Sequence, residues 1–153
     1  MLNRLKDVFA SFQKHDVRYV VIGGVAAILY GVPRATFDLD ILMEPTPANA
    51  RRLLDALLEA GLGTAALATE KELLSNEITV FKDKVRIDVQ MSTPGLGFQR
   101  AWDNRETMKY QNQSFYVASK SDLIASKRAA SRDIDIEDVK LLELPEKSDD
   151  NHE

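Results

Sequence analysis

The sequence predicts one α/β (α+β) domain in which a small mixed β-sheet is flanked by helices. Three observations predict it. Short apolar segments with strand-like alternation are interspersed with segments of helical periodicity, and this order is typical of mixed α and β folds. Residues that suit helix ends separate the two kinds of segment. The length of 153 residues suits one core, and 44% hydrophobic with 29% charged residues is ordinary for a globular protein.

The helices are predicted from apolar residues at helical spacing and from residues that suit helix ends. In the first, Leu5, Val8 and Phe9 form an apolar stripe. In the third, Thr46 suits the cap position and Pro47 the first turn. The predicted helices span 3–15, 25–30, 46–60, 69–75, 119 or 121 to 131, and 133 or 135 to 144.

The strands are predicted from short alternating or fully apolar runs. A hairpin is expected around Lys82 and Asp83, and residues 94–97 read as a loop. The predicted strands span 18–22, 36–42, 77–81 and 85–91, with one or two more within 106–117.

Two carboxylates stand close together in the second predicted strand. Side chains at i and i+2 of a strand point to the same face, so Thr36, Asp38 and Asp40 share one face. Phe37 and the alternate apolar residues after it are expected to face the core. Aspartate is depleted in strands, so two in one apolar strand need a reason. Adjacent carboxylates repel, and a hard divalent cation relieves that repulsion.

A third carboxylate, Asp88, occupies the polar face of the strand 85–91, whose other face is apolar. If this strand pairs beside the strand of Asp38 and Asp40, three carboxylates converge. The alternative is that Asp88 is a surface residue paired with Arg86 or Lys84.

Gly23 and Gly24 join the first strand to the second helix. Glycine lets the backbone approach a phosphate closely, and amide groups at a helix start attract anions. A tight strand-to-helix turn would need the same residues without any ligand.

These elements together resemble the nucleotidyltransferase-fold superfamily, the group related to DNA polymerase beta. The resemblance rests on Gly23-Gly24 after an apolar residue, thirteen intervening residues, Asp38-Leu39-Asp40, and Asp88 between apolar residues on a later strand. It covers roughly residues 15 to 142. The stretch from 122 to 139 looks like the helical tail of small prokaryotic members, which include stand-alone minimal enzymes and halves of toxin–antitoxin pairs.

The resemblance implies a metal-dependent transfer of a nucleoside monophosphate from a nucleoside triphosphate to an acceptor hydroxyl, with release of pyrophosphate. It implies that Asp38, Asp40 and Asp88 are catalytic residues that hold Mg²⁺ or Mn²⁺, and that Gly23 and Gly24 hold the triphosphate. The acceptor is left open between a protein side chain, an RNA end and a small molecule.

Three further residues are candidates for nucleotide binding. Arg34 could contact a phosphate, and Thr36 could orient Asp38 through a hydrogen bond. Two simpler explanations fit equally well: Arg34 could lie in a solvated loop, and Thr36 could be present for its strand propensity. Lys127 lies on the inward side of its predicted helix, where a lysine must extend to solvent or reach an anion. A triphosphate is one such anion.

Three alternatives remain at this stage. The chain could be an antitoxin-like partner of a cognate toxin. It could be a degenerate family member that binds nucleotide without catalysis, because Val25 and Ala26 stand where many members carry a serine. It could be a metal-dependent glycosyltransferase, in which Asp-x-Asp also holds a nucleotide diphosphate, although the Gly-Gly spacing has no role there.

Composition bounds the remaining expectations. The absence of cysteine excludes thiolate metal sites and disulfides, and two histidines are too few for a histidine-based metal site. No signal peptide and no apolar run of membrane-spanning length are present, so a cytoplasmic protein is expected. Residues 1–144 are predicted to form the domain, and the acidic residues 145–153 a disordered tail. The body carries no net charge, which disfavours nonspecific binding of long nucleic acids.

Overall fold

A computed structural model describes residues 2–145 of the chain. Its helices and strands are interspersed along the sequence. The helices are α1 (Leu2–Lys14), α2 (Gly23–Leu29), α3 (Pro47–Glu59), α4 (Glu70–Ser75), α5 (Phe98–Asp103), α6 (Lys120–Ala130) and α7 (Asp133–Leu142), with a 3-10 helix at Gly63–Leu67. The strands are β1 (Tyr19–Ile22), β2 (Asp38–Met43), β3 (Ile78–Lys82), β4 (Arg86–Gln90), β5 (Glu106–Tyr110) and β6 (Gln113–Val117).

The six strands form one mixed sheet in the order β3-β4-β2-β1-β6-β5. β2 pairs in parallel with β4, and β1 in parallel with β6, while the other three pairings are antiparallel. The parallel pairs place the starts of β2 and β4 at the same edge of the sheet. The predicted fold class and the pairing of the strand of Asp88 with that of Asp38 are therefore confirmed.

Helices cover both faces of the sheet. α1, α2 and α3 pack on one face around Phe9, Phe12 and Leu39, in the larger of two hydrophobic clusters. The smaller cluster lies on the other face, where α5 covers Val20 and Ile22 of β1. This second face also carries the carboxylates, because Asp40 of β2 lies opposite Ile22 in the antiparallel pairing with β1.

The predictions differ from the structure most clearly at the second strand, at α2 and at two short helices. The second strand begins at Asp38 rather than residue 36, and Phe37 is 88% exposed instead of facing the core. The chain is still in the connection from α2 at Phe37, so strand alternation does not apply there. α2 begins at Gly23, two residues before the predicted start. α5 and the 3-10 helix have too few residues to show helical periodicity and were not predicted.

The capping predictions agree with the structure at α3 and α6 but not at α7, whose cap position is Arg132 rather than Asp133 or Asp135. Thr46 caps α3 by accepting a hydrogen bond from the Asn49 amide, and Pro47 occupies the first turn. Ser119 caps α6 in the same way through the Asp122 amide. The predicted tail lies outside the described residues except for Pro145.

Candidate active site

Three carboxylates lie at the open end of one sheet face. In the parallel pairing of β2 with β4, Asp40 aligns with Asp88, and Asp38 aligns with Arg86. Alternation along each strand puts the side chains of Asp38, Asp40 and Asp88 on the same face. Their neighbours Leu39 and Ile87 are buried in the core on the opposite side. The apolar faces of the strands thus fix the direction of the carboxylates.

Arg86 lies between two of these carboxylates. Its guanidinium donates to both oxygens of Asp88, at 3.0 and 3.3 Å, and its Nε lies 3.7 Å from Asp38 Oδ2. The hydrogen bond to Asp88 raises the pKa of Arg86. Asp88 therefore both faces Asp40 and pairs with Arg86, so the two interpretations of this residue from the sequence are compatible.

Of these three carboxylates, Asp40 is the one that forms no ion pair with a described residue. Burial, then the nearby charges of Asp88 and Asp38 and a hydrogen bond with Asp88, raise the pKa of Asp40 to about 7. Arg132 acts weakly in the opposite direction. A carboxyl group held in this way gains most from a cation that replaces its proton.

The donor set fits a hard divalent ion. It offers oxygen ligands on one face, and repulsion among them is unrelieved at Asp40. Within residues 2–145, no three such side chains converge closely enough to enclose an ion in this conformation. In this conformation both oxygens of Asp88 accept hydrogen bonds from Arg86.

Gly23 is required by its position beside Asp40. Its φ is +69°, which non-glycine residues rarely adopt, and an added Cβ would lie 2.3 Å from Asp40 Oδ2. Gly24 has an ordinary φ, and its Cβ would lie 3.1–3.3 Å from the flexible side-chain ends of Arg34 and Thr36. The first glycine thus lets the turn approach the carboxylate, and the second brings two polar side chains to the start of α2.

Arg34 and Lys127 converge on one buried aspartate of α7. Arg34 donates to Asp138 through Nε at 3.2 Å and Nη2 at 2.9 Å, and Lys127 Nζ lies 2.8 Å from Asp138 Oδ2. Burial acts to raise the pKa of Asp138, but these two cations outweigh it and the pKa is lowered. Lys127 is only 4% exposed, so the anion that it reaches in this structure is internal.

A second pair extends this cluster towards the carboxylates. Arg132 donates to Asp135 at 2.7 and 3.2 Å, and Lys127 lies 3.8 Å from the same carboxylate. The guanidinium of Arg132 is close enough to Asp40 to lower its pKa slightly. The C-terminal helices therefore bring positive charge to the site. The sequence indicated Arg86 only as a partner of Asp88, and it did not place Arg132 or Asp138 near the carboxylates; the one signal was a group of basic residues followed by a group of acidic residues between 127 and 138.

The predicted site residues thus fall into two groups in space. Gly23, Asp38, Asp40 and Asp88 form the carboxylate site, and Gly24, Arg34 and Thr36 adjoin it at the start of α2. Lys127 is connected to this second group through Asp138, to which Arg34 also donates.

Comparison with known proteins agrees with the fold. Among solved structures, the chain is similar to an antigenic nucleotidyltransferase-like protein from Paracoccidioides brasiliensis, with a TM-score of 0.57 and 17% identity over 90% of this chain and 72% of that one. This similarity shows the fold. A search of curated proteins finds no match. No helix within residues 2–145 is long and apolar enough to cross a bilayer. A family model described as "Nucleotidyltransferase of unknown function (DUF6036)" matches residues 2–151, and the chain therefore belongs to this nucleotidyltransferase-fold family.

Proposed function

We propose that the protein is a metal-dependent nucleotidyltransferase. The observation that carries this proposal is Asp40, a largely buried carboxylate placed between Asp38 and Asp88, whose pKa is raised to about 7. Carboxylates that are held close together without a neighbouring cation repel one another and lower the free energy of unfolding. A bound cation offsets that loss. The adjacent turn at Gly23 lets the backbone approach the same carboxylate closely.

Asp38 and Asp40 would hold Mg²⁺ or Mn²⁺, with Asp88 as the third ligand. The ions, when bound, lower the pKa of the acceptor hydroxyl and offset the negative charge that develops on the phosphate oxygens. The protein must also keep the reacting oxygen in line with the leaving group. The pairing of β2 with β4 supports this proposal because it holds the carboxylates, and with them the bound ions, in fixed positions.

The proposed reaction replaces one bond of the α-phosphorus by another. The acceptor oxygen forms a bond to the α-phosphorus of a nucleoside triphosphate, the bond from that phosphorus to the β-phosphate bridging oxygen breaks, and pyrophosphate leaves. Arg86 first releases the carboxylate of Asp88, and this carboxylate then takes the proton of the acceptor hydroxyl. Arg86 is then free to contact a phosphate oxygen, to which its planar fork is well suited.

Arg34 compensates for the absent serine after the glycine pair. Its guanidinium lies against Gly24 at the start of α2, where Val25 and Ala26 offer no hydroxyl. A cation at this place can hold a triphosphate oxygen by a charge-assisted hydrogen bond. Asp138 fixes the guanidinium through two hydrogen bonds, so that it is oriented before any nucleotide arrives.

The test is transfer of label from α-labelled triphosphates. Each of the four nucleoside triphosphates is incubated with the protein, Mg²⁺ and a lysate of its source organism, and labelled products are separated. We expect a labelled acceptor with the wild type and none with Asp40→Asn. Asp7→Asn, an exposed carboxylate on α1, is the matched control and should behave as wild type. Equal labelling by wild type and Asp40→Asn would contradict the proposal.

Asp88→Asn separates chemistry from binding. We expect it to lower the transfer rate far more than the affinity for triphosphate, because Asp38 and Asp40 still hold the nucleotide-bound ion. Titration of nucleotide with Mg²⁺ and the rate of labelling measure the two. Equal loss of both would instead make Asp88 a nucleotide ligand or a structural residue.

The contacts of Arg86 with the carboxylates support a second candidate function, in which the protein binds nucleotide without transferring it. Its guanidinium neutralises Asp88 and approaches Asp38, which is the role that a cation would otherwise have. This second candidate predicts triphosphate binding that does not depend on Mg²⁺ and no labelled product. Arg86→Ala should then weaken nucleotide binding instead of freeing Asp88.

A further inference from the structure

The strand β3 forms one edge of the sheet, since among residues 2–145 it pairs with β4 alone. Two apolar residues of this strand, Ile78 and Val80, are 52% and 47% exposed. In the antiparallel pairing with β4, Val80 aligns with Asp88 and Ile78 with Gln90. Aligned residues of an antiparallel pair share a face, so both apolar side chains lie on the face that carries the carboxylates. This edge therefore presents an apolar surface beside the carboxylate site.

The backbone groups of the same two residues point away from the sheet. The amide of Met91 donates to the carbonyl of Glu77 at 2.9 Å, which continues the pairing of β3 with β4 by one residue. The direction of backbone groups alternates along an antiparallel strand. Every second residue from Glu77 therefore bonds to β4, whereas Ile78 and Val80 direct their N–H and C=O groups outwards. Outward groups on an edge strand are a template for pairing with another chain.

The other edge of the sheet is protected in a way that β3 is not. β5 forms that edge, and the charged residues Glu106 and Lys109 occupy exposed positions along it. Charged residues, prolines and bulges on an edge strand oppose pairing with another chain. The segment from Ile78 to Phe81 carries no charge and no proline, and its register with β4 is unbroken. The edge at β3 is thus the one that suits an added strand.

A second copy of the chain fits this edge in one register. Two copies of β3 related by a two-fold axis run antiparallel, and the axis passes between one residue and its own copy. With the axis at Thr79, Ile78 lies opposite the partner's Val80 on both sides of the axis, and no like charges are opposed. With the axis at Val80, Glu77 lies opposite the partner's Asp83, and the two carboxylates repel. The register centred on Thr79 is therefore favoured.

We propose that β3 is a self-association surface, on which β3 of a second copy pairs in the register centred on Thr79. The outward N–H and C=O groups of Ile78 exchange hydrogen bonds with those of the partner's Val80, and the same pair recurs across the axis. The apolar side chains of these residues cover each other at the junction, as cross-strand pairs do within a sheet. The proposal is independent of nucleotidyl transfer, because it uses no residue of the carboxylate site.

This pairing joins two sheets into one and places both carboxylate sites on the same face. β3 and its copy separate the two β4 strands, so Asp88 and the partner's Asp88 would lie about 14 Å apart across the strands, which is three strand spacings. A pair of five-residue strands is small beside the roughly 1,000 Å² that a stable interface buries. We therefore expect a monomer–dimer equilibrium instead of an obligate dimer.

Sedimentation of the full chain over a range of concentrations tests the association. We expect a dimer that dissociates on dilution. Ile78→Lys should raise the dissociation constant about tenfold or more, because it replaces both apolar pairs at the junction. Thr107→Lys adds the same charge at an exposed position of the other edge strand, β5, and should leave the constant unchanged. Circular dichroism and thermal unfolding check that both variants are folded.

A covalent cross-link tests the register. The chain has no cysteine, so a single introduced cysteine can bond only to its own copy. At the axis, residue 79 forms a non-hydrogen-bonded pair with its copy, and the Cα separation of roughly 4.5 Å in such pairs allows a disulfide. We expect Thr79→Cys to give a disulfide-linked dimer under mild oxidation. Thr107→Cys, which is more exposed, is the control and should give little.

The outcomes decide between a second copy and any other occupant of this edge. Association that Ile78→Lys weakens and Thr107→Lys does not, together with cross-linking at residue 79, supports the proposal. A monomer at every concentration overturns it and leaves the edge to a strand of another protein. A dimer that Ile78→Lys does not weaken, or equal cross-linking of Thr79→Cys and Thr107→Cys, also overturns it.

Discussion

The electrostatic environment of Asp40 indicates that its surroundings are a functional site. It is held on a rigid strand beside two other carboxylates, and Arg86 compensates those two rather than Asp40. Natural folds tolerate such local cost mainly at functional sites. The free energy of unfolding should therefore report the charge state of Asp40.

We expect the apo protein to lose stability as the pH rises from about 4 to about 7. The pKa of Asp40 is raised from 3.8 when unfolded to about 7 when folded, so in this window the folded state keeps a proton that the unfolded chain has released. Stability thus falls with rising pH and levels off above the folded pKa.

Asp40→Asn isolates this effect from other titrating groups. The variant should gain stability over wild type as the pH rises through the window, and Mg²⁺ should stabilise wild type but not the variant. Urea unfolding at a pH below and a pH above this window, with and without Mg²⁺, measures both. A constant difference between the two proteins across the pH range would mean that Asp40 is not perturbed.

The two glycines of the turn should respond differently to the same change. Gly23→Ala forces a side chain into φ +69° and onto Asp40, so we expect a loss of about 1–3 kcal/mol or more. Gly24→Ala meets only the movable ends of Arg34 and Thr36 and should cost far less. Thermal unfolding of both variants is the measurement. Similar losses would show that Asp40 moves aside easily.

At the scale of elements, α6 and α7 are joined to the connection before β2 by buried charge. Arg34 precedes β2, Lys127 lies on α6, and both pair with Asp138 on α7. Removing one partner of a buried pair leaves the other uncompensated, which is costly, whereas exposed pairs contribute little. The cluster therefore holds the C-terminal helices against the site.

Lys127→Met should destabilise the protein strongly. We expect a loss near the lower end of about 3–5 kcal/mol, because Asp138 keeps Arg34 as a partner. Arg128→Met is the matched control: Arg128 is the next residue, is exposed, pairs with Glu143, and should cost less than about 1 kcal/mol. Urea unfolding compares the two.

Nucleotide titration of the same variants tests the predicted role of Lys127. A triphosphate affinity that falls only when the fold is weakened would assign Lys127 to structure. A fall in affinity with the folded fraction unchanged would support direct contact with the triphosphate.

The stability of the whole molecule depends on the packing of its first helix, α1. Phe9 of α1 stacks on Phe115 of β6 with 4.5 Å between ring centroids, and Ser11 donates to the Ala56 carbonyl of α3. Residues far apart in sequence thus close the larger cluster. The smaller cluster across the sheet includes Trp102, which packs on Phe98.

Phe9→Ala should lower the stability of both faces together. We expect a loss of about 3–5 kcal/mol, as for other buried aromatic residues that leave a cavity. Trp102 fluorescence and far-UV circular dichroism should report the same shifted midpoint, because the sheet couples the two clusters. Separate midpoints would mean that the faces unfold independently.

The sequence by itself determined the parts of this protein that depend on local patterns. Alternation placed Asp38, Asp40 and Asp88 opposite the core, and capping residues marked the starts of α3 and α6. These features follow from neighbouring residues, so one chain is enough to predict them. The fold class followed from the order of the segments. The same logic failed at Phe37, because alternation was extended two residues beyond the actual strand.

Only the tertiary structure decided which distant groups meet. The parallel pairing of β2 with β4 brings Asp40 level with Asp88, although two α-helices, a 3-10 helix and a strand separate the two residues in sequence. The contacts of Arg86 with Asp38 and of Lys127 with Asp138 depend on side-chain geometry that no spacing encodes. Local rules fix which face a side chain occupies, whereas long-range packing fixes what that face meets.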